Sequence, residues 1–385
     1  MTETPERWDG PEPGEIVPVT LVTGFLGSGK STLLGEVLRD PRFANSAVVV
    51  NEFGEVGLDD FLVEHSEEQL VEMTTGCLCC TIRGDIRDTL VGLHDRRKAG
   101  EIRRFDRLIV ETTGLADPAP VIHTLMADPK IAVRYSLGGV VTVVDAVNGR
   151  DTIARQDECV RQVAVADRLV LSKTDLPAAA EGLDDLQAEL RRLNPGATVL
   201  DRNAAGFDVA AVFDTPVYDI FSKSLDVQSW INAEAFAEDD GHHGHHGHHE
   251  HHGHHGHHDH HHHDDHHHDV NRHGDDILSW CLVMDEPIPM MAFMTALELL
   301  IGNQGQDLLR VKGIVHLAEK PDTPMVVHGV QHVFHNPVWL EKWPSDDRRT
   351  RIVFITRNIR KEGVERFFAA WQRATEQSAV DLPAM

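Results

Sequence analysis

The chain has 385 residues, which is enough for two domains with hydrophobic cores of their own. Its formal net charge is −26, so nucleic acid is not expected as a partner and cations are favoured over anions. The stretch from Met1 to Ile16 lacks the apolar segment of a signal peptide, and no apolar run approaches the roughly 20 residues of a membrane span. We therefore expect a cytoplasmic protein without a membrane partner, whose five cysteines are reduced.

The first predicted elements are a strand, a glycine-rich turn and a helix. Residues 1–15 carry three prolines and many acidic side chains, which predicts a flexible tail. The apolar run from Val17 to Val22 predicts a buried strand, and the apolar spacing of residues 32–38 predicts a helix. The sequence GFLGSGKS between them, residues 24–31, matches the phosphate-binding P-loop pattern GxxxxGK[ST].

The residue types of this turn suit a polyphosphate. Glycines let backbone N–H groups converge on phosphate oxygens, and the helix N-terminus adds partial positive charge at the same point. We expect Lys30 to reach the β- and γ-phosphates and to act in catalysis, and Ser31 to ligate Mg²⁺. The predicted phosphate-binding residues are Gly24, Gly27, Ser28, Gly29, Lys30, Ser31 and Thr32.

Further apolar runs follow at 46–50, 107–110, 139–144 and 168–171, and helical periodicity lies between them at 82–98 and 118–127. Near-continuous apolar strands that alternate with helices predict an α/β fold with a mostly parallel sheet, covered on both faces. In such sheets ligands bind at the carboxyl ends of the strands. The polar residues that follow each run are therefore the candidate site residues.

Two of these strand ends carry recognisable nucleotide-binding residues. Glu111-Thr112-Thr113-Gly114 follows the third run, in the position of the turn that senses Mg²⁺ and the γ-phosphate, so Glu111 is a candidate for magnesium binding and catalysis. Ser172-Lys173-Thr174-Asp175 follows the fifth run. In GTPases the aspartate of such a turn accepts hydrogen bonds from guanine, and the lysine stem lies on the base. Lys173 and Asp175 therefore favour GTP over ATP.

Three of the five cysteines, Cys77, Cys79 and Cys80, fall within four residues, which we interpret as a short loop. Thiolates are preferred ligands of zinc and of other borderline metals. Since such a loop cannot supply a whole tetrahedral shell, we expect a further ligand from Glu52, Glu55 or a histidine. A packed cluster of small side chains and a redox pair are the alternatives. The other two cysteines are isolated, and packing is the expected role for both: Cys159 and Cys281.

Taken in order, five stretches resemble the CobW-type metallochaperone GTPases, relatives of the nickel GTPases that mature urease and hydrogenase. They are the P-loop, NEFGEVGLD from residue 51, GCLCC from 76, ETTGLADP from 111 and SKTD from 172. The resemblance implies a GTPase that binds a transition metal, often Zn²⁺ and sometimes Co²⁺, and delivers it to a client protein. It also implies that Glu111 stands where the DxxG turn more usually has aspartate.

From His242 to His268 the chain contains only His, Gly, Asp and Glu. Without apolar residues this segment cannot form a core, so we expect it to be disordered without metal. Neutral imidazole binds Zn²⁺, Ni²⁺, Cu²⁺ and Co²⁺, and the many HH pairs predict many equivalent weak sites. A purification tag and a solvated linker are the alternatives. The tract histidines are His242, His243, His245, His246, His248, His249, His251, His252, His254, His255, His257, His258, His260, His261, His262, His263, His266, His267 and His268.

Order is expected to resume after this tract in a small α+β domain. Strands are predicted at 277–284, 309–315, 325–330, 333–334 and 351–356, and a helix at 290–301. A second helix is predicted because Val364, Phe367, Phe368 and Trp371 share one face, which favours core packing. Three histidines of this domain are metal-ligand candidates, although packing or surface exposure is favoured for them: His328, His332 and His335.

These observations predict a tail at 1–15, a P-loop GTPase domain at 16–222, a linker with the histidine tract at 223–275 and a C-terminal domain at 276–385. The expected function is a metallochaperone GTPase that uses GTP and Mg²⁺ and carries Zn²⁺, with Co²⁺ and Ni²⁺ as other metals, to a client metalloprotein. A metal buffer with a regulatory nucleotide site, a cobalt insertion factor for cobalamin synthesis and a nucleotide-dependent redox sensor are the rival interpretations. The assembly state is open, with a homodimer among the options.

Overall fold

A computed structural model describes residues 16–51, 70–72, 78–82, 85–213 and 276–380 of the chain. At positions 51, 70–72, 78–82 and 374–380 it describes the backbone alone. The predicted tail and the predicted linker with the histidine tract lie outside the described residues. The described parts form an α/β domain and, from Asp276 onward, an α+β domain.

Strands and helices alternate along most of the first domain. Its strands are β1 (Val17–Thr23), β2 (Ser46–Asn51), β3 (Leu70–Glu72), β4 (Leu78–Ile82), β5 (Arg107–Glu111), β6 (Tyr135–Asp145), β7 (Arg168–Ser172) and β8 (Thr198–Asp201). Its helices are α1 (Lys30–Arg39), α2 (Ile86–Ala99), α3 (Ala119–Ala127), α4 (Pro129–Ala132), α5 (Gly149–Arg155), α6 (Asp157–Ala164), α7 (Leu183–Leu193) and α8 (Val209–Phe213).

Within the described residues the first sheet has the strand order β3-β4-β2-β5-β1-β6-β7-β8. All neighbouring pairs are parallel except β3 with β4, which is antiparallel. The prediction of a mostly parallel sheet is therefore confirmed. Because parallel strands end at the same edge, the turns that follow β1, β5, β6, β7 and β8 lie side by side.

The central strands β2, β5, β1, β6 and β7 are largely buried on both faces, which explains their near-continuous valine-rich sequences. Alternate residues of β2 face opposite layers. Val48 packs in one core cluster with Leu33 of α1, and Val49 packs in another with Leu90 of α2 and Ile122 of α3. The helices therefore cover both faces, and the functional turns are left at the strand ends.

The first sheet contains a strand, β4, that the sequence patterns did not predict. The predicted loop that contains Cys79 and Cys80 and the predicted start of a helix at Ile82 are both wrong, because these residues form a strand. Cys79 and Cys80 lie on β4, which pairs with β2, and Ile82 ends that strand. The helix begins later because the Asp85 side chain accepts a hydrogen bond from the Arg87 backbone N–H at 2.9 Å and caps α2.

The second domain has an antiparallel sheet with the order β12-β11-β10-β14-β9, and β13 pairs with β11. Its strands are β9 (Ile277–Met284), β10 (Leu308–Val315), β11 (Met325–Val330), β12 (Val333–Phe334), β13 (Val338–Trp339) and β14 (Thr350–Arg357). Its helices are α9 (Met290–Gln304) and α10 (Lys361–Val380). Val364 and Phe368 of α10 are buried in the core, with Phe367 and Trp371 packed against it, so the predicted helix face is confirmed.

The two domains share apolar surface. Val330 at the end of β11 belongs to the core cluster that includes Ile122 of α3, and the His123 Nε2 of α3 lies 3.0 Å from the Val330 carbonyl oxygen. Ile277 and Leu309 of the second domain join a cluster that also contains residues of α6 and α7. The second domain therefore contacts α3, the helix that follows the turn after β5.

Candidate functional site

The P-loop has a backbone that only glycine adopts readily. Gly24, Gly27 and Gly29 have φ values of 139°, 73° and 98°, which lie in the left-handed region. A Cβ on Gly24 would lie 2.3 Å from the Val143 carbonyl oxygen. The predicted turn is thus formed between β1 and α1, packed closely on β6.

Two side chains of the loop suit a bound phosphate group. Ser28 is 2% exposed, and its Oγ has no hydrogen-bond partner among the described residues. The buried Lys30 ammonium donates to the carbonyl oxygens of Gly24 at 2.8 Å and Phe25 at 3.3 Å. Ser31 is half-buried at the first turn of α1 and Thr32 is exposed. A buried hydroxyl that lacks a partner and a cation inside a glycine cradle fit a phosphate in this loop.

The turn after β5 lies against the P-loop. Glu111 ends β5 and is paired in register with Val22 of β1, one position before the end of that strand. Thr112 Oγ1 donates to Thr23 Oγ1 at 2.8 Å. A Cβ on Gly114 would lie 2.6 Å from the Leu26 Cα, so this glycine allows the turn to touch the P-loop backbone. The buried Glu111 side chain therefore lies at the carboxyl end of β5, beside the strand that leads into the P-loop.

The turn after β7 is fastened to the P-loop and to β6. Ser172 Oγ donates to the Ser28 carbonyl oxygen at 2.5 Å. Lys173 has a φ of 59°, and its ammonium contacts Asp145 Oδ2 at 2.7 Å. Burial disfavours ionisation of Asp145, but the bonds from Lys173 and Asn148 overcome this and lower the pKa of the Asp145 carboxyl. The lysine stem is therefore fixed beside the predicted base site.

Sequence reasoning missed three polar residues at this edge. Asp145 ends β6, Asp201 ends β8 and Asn203 follows it; Thr174 Oγ1 donates to Asp201 Oδ1, and Asn203 Nδ2 donates to Asp175 Oδ1 at 2.9 Å. The signal that could have found Asp145 was its place directly after a strongly apolar run. Residues 198–201 form a short, half-exposed strand, which gives a weaker pattern.

The metal candidates are described only in part. Glu52, Glu55 and Cys77 lie outside the described residues. Cys79 and Cys80 are paired in register with Val48 and Val49 of β2. The strand that carries these two cysteines is thus the neighbour of the strand that leads directly into the segment with Glu52 and Glu55.

The remaining cysteines and histidines are placed inside the domains. Cys159 and Cys281 are buried, and burial raises the pKa of the Cys159 thiol to about 12, which suits a packing residue. His328 is 4% exposed, whereas His332 is exposed at the turn between β11 and β12. In the parts of the chain that the structure describes, no three His, Cys, Asp or Glu side chains group together in a way that could hold a metal.

Comparison with known proteins identifies the family. The CobW/HypB/UreG nucleotide-binding domain matches residues 18–201, and the C-terminal domain of the cobalamin synthesis protein CobW matches residues 277–372. The zinc chaperone YjiA of Escherichia coli is 30% identical over 357 residues, covering 93% of this chain and 99% of YjiA. The chain belongs to the CobW family.

Two further relatives support this assignment over most of the chain. The zinc chaperone CobW of Pseudomonas aeruginosa is 32% identical over 375 residues, covering 89% of this chain and 88% of that protein. The crystal structure of the zinc-bound YjiA GTPase from Escherichia coli superposes with a TM-score of 0.65 at 28% identity, covering 92% of this chain and 99% of that one.

Membership of the CobW family confirms three predictions made from the sequence: the family itself, the α/β fold class with an α+β C-terminal domain, and a P-loop GTPase as the enzyme class. No α-helix in the described ranges is both long enough and apolar enough to span a membrane.

Proposed function

We propose that this CobW-family protein is a cytoplasmic metallochaperone that hydrolyses GTP with Mg²⁺, binds Zn²⁺ at a site containing Cys77, Cys79 and Cys80, and delivers the metal to a client protein. The observation that carries the proposal is the order of strands β4-β2-β5-β1. It puts the strand with Cys79 and Cys80 in the same parallel layer as the P-loop and the Glu111 turn. Zinc is favoured as the metal because similar proteins over most of this chain are named zinc chaperones.

The hydrolytic step needs positioning and charge stabilisation more than covalent chemistry. Backbone N–H groups of the P-loop orient the triphosphate, and the Lys30 ammonium lies where it can move from the Gly24 carbonyl oxygen to the phosphate oxygens. Ser31 and Glu111 are the residues that would hold Mg²⁺, which supplies charge neutralisation at the β- and γ-phosphates. Water is the nucleophile, and the turn that contains Gly114 would orient it.

Metal binding is coupled to the nucleotide in this proposal. Strand β2 pairs with β5 on one side and with β4 on the other, so Asn51, the residue before Glu52, ends its strand between the strand of Glu111 and the strand of the two cysteines. Contacts of the segment that begins at Glu52 to the γ-phosphate and Mg²⁺ would bring Glu52 or Glu55 toward the thiolates. Loss of the γ-phosphate would open the metal site and release Zn²⁺ to the client.

Linkage gives a direct test. If GTP tightens Zn²⁺ binding, Zn²⁺ must tighten GTP binding by the same factor, and a useful switch needs about 5- to 150-fold. We would measure Zn²⁺ affinity with Mg²⁺ and either GDP or a non-hydrolysable GTP analogue, and the reciprocal nucleotide affinity with and without Zn²⁺, in one variant whose residues 242–268 are replaced by an equally long Gly/Ser/Asp segment. Cys79→Ala should abolish the coupling and leave nucleotide affinity without metal nearly unchanged. Cys281→Ala, a buried cysteine of the other domain, is the matched control.

The histidine tract favours one rival, a metal buffer or store with a regulatory nucleotide site. Nineteen histidines in 27 residues can hold several metal ions weakly. A buffer requires no communication between nucleotide and metal. Equal Zn²⁺ affinity in the GDP and GTP-analogue states would therefore reject the chaperone mechanism in favour of the buffer.

A further inference from the structure

The turns that follow β7 and β8 are joined by a closed set of hydrogen bonds. The Asn203 side-chain Nδ2 donates to Asp175 Oδ1 at 2.9 Å and to Thr174 Oγ1 at 3.0 Å. Thr174 Oγ1 donates to Asp201 Oδ1 at 2.5 Å, and the Asn203 backbone N–H donates to the same Asp201 oxygen at 2.8 Å. These bonds tie the SKTD turn to the next turn of the same sheet edge.

The chemistry of the partners fixes which way the Asn203 amide faces. The Asp175 carboxylate can only accept, so it requires the NH₂ group of Asn203. The Thr174 hydroxyl donates its one hydrogen to Asp201. Toward Asn203 it can therefore only accept, so it also requires the NH₂ group. Both amide hydrogens are thereby used, and the orientation of Asn203 follows from its neighbours without ambiguity.

The Asp175 carboxylate needs such a contact because it is exposed on the surface. Recognition of guanine requires its two oxygens to meet N1–H and the exocyclic amine together. Among the described residues, Asn203 is the group that hydrogen-bonds this carboxylate. An aspartate that is held by a hydrogen-bond donor loses rotational freedom before the nucleotide arrives, which lowers the entropic cost of binding.

We propose that Asn203 is a positioning residue for guanine selectivity, acting through Asp175; the inference rests on the GTP site proposed above. Asn203 holds the Asp175 carboxylate in the orientation that guanine requires. It does not act on the residues proposed to bind the phosphates. The predicted signature is a loss of discrimination between guanine and adenine nucleotides, without a loss of phosphate binding or of the hydrolytic step.

The test compares dissociation constants of GDP, IDP and ADP, measured by calorimetry on the full chain with Mg²⁺. Asn203→Ala should weaken GDP binding roughly tenfold, which is the effect of losing one hydrogen bond to a charged group. The affinity for ADP should not change. IDP lacks the exocyclic amine, so Asn203→Ala should weaken IDP binding less than it weakens GDP binding. The kcat at saturating GTP should stay within twofold, while KM rises with the GDP dissociation constant.

Three further variants separate the outcomes. Asn203→Asp keeps the shape but puts a second negative charge beside Asp175, so its loss of GDP affinity should exceed that of Asn203→Ala. Asn303→Ala removes an exposed asparagine of α9 that donates to the Leu299 carbonyl oxygen, and should change nothing. Asp175→Asn removes the guanine acceptor itself and should give the largest loss of preference for GDP over ADP.

Some results would reject the positioning role of Asn203 and leave the assignment of the GTP site intact. If Asp175→Asn removes the preference for GDP and Asn203→Ala does not, the site stands and the positioning role is rejected. Equal losses of GDP and ADP affinity in Asn203→Ala would also reject it, because they indicate a general collapse of the turn. If the unaltered protein binds ADP as tightly as GDP, the GTP assignment itself fails.

Discussion

The Asp167 carboxylate of the nucleotide-binding domain accepts a hydrogen bond from the Arg310 guanidinium of the C-terminal domain. Lys312 Nζ lies 3.2 Å from the same oxygen, and the other carboxylate oxygen accepts from the Val140 backbone N–H at 2.8 Å. All three charged side chains are buried. Burial disfavours ionisation of Asp167, but the two cations overcome it and hold the pKa of this carboxyl well below its usual value. One carboxylate therefore contacts two cations at the junction of the domains.

Asp167→Asn should destabilise the protein by about 3 kcal/mol, because it removes the negative charge that Asp167 places beside the buried Arg310 and Lys312. Four of the six tryptophans lie in the C-terminal domain, so urea denaturation followed by tryptophan fluorescence reports mainly on that domain. Asp322→Asn is the matched control, since Asp322 is 81% exposed in its ion pair with Arg348. Its effect should be below about 1 kcal/mol. Similar losses in both variants would contradict a special role for the buried site.

His328 makes this junction sensitive to acid. Burial lowers the pKa of His328 well below its usual value, Arg310 and Lys312 lower it further, and Asp167 opposes them. The unfolded chain takes up a proton near pH 6.5 and the folded protein does not, so stability is complete above that pH and declines below it. As the pH falls from 6.5 to 5.5, this one group should lower the free energy of unfolding by about 1 kcal/mol.

His328→Gln removes the titrating group, so the slope of unfolding free energy against pH between 5 and 6.5 should become smaller than in the unaltered protein. The control is His332→Gln, which changes an exposed histidine of the neighbouring turn. Comparison of variants cancels the titration of all other histidines, including those of the tract. An unchanged slope in His328→Gln would show that His328 is not the acid-sensitive group.

Two glycines of the P-loop should respond differently to alanine. Both have positive φ, but a Cβ on Gly24 would collide with the Val143 carbonyl oxygen, whereas a Cβ on Gly27 has no atom within 4 Å. Gly27→Ala should therefore cost only the left-handed strain of about 1–2 kcal/mol, while Gly24→Ala must also displace β6 or the loop. Thermal unfolding of the nucleotide-free variants measures the difference. Equal melting temperatures would mean that the loop relaxes away from β6 freely.

The sequence predicted those parts of the site that are encoded locally. The P-loop is a contiguous pattern between a strand and a helix, and Lys173 and Asp175 stand directly after a buried strand, so the sheet edge could be anticipated. Strand β4 was missed because its cysteines were interpreted as loop ligands and its apolar pattern is short. The partners Asp145 and Asn203 lie 28 residues from the side chains they contact, and no local pattern encodes such a pairing. The Asp167–Arg310 contact joins two domains and is even less accessible to sequence reasoning.

The last prediction separates the histidine tract from the proposed cysteine site. Residues 242–268 contain nineteen histidines and no apolar side chain, so they should bind metal without contributing to either core. Replacing the tract by an equally long Gly/Ser/Asp segment should preserve the melting temperature of the domains. It should lower bound Zn²⁺ from several ions to about one per chain, measured by calorimetry and elemental analysis.

The tightest Zn²⁺ site should survive that replacement, because thiolates bind zinc more strongly than scattered imidazole pairs do. The equal-length replacement matters, since a simple deletion would also shorten the connection between the domains. Adding Cys79→Ala to the replacement should then remove the remaining tight site. If the tightest site disappears with the tract alone, the cysteine strand is not where the metal is carried. Zinc delivery would then have to begin from the histidines, and the coupling expected between GTP and the cysteine site would lose its basis.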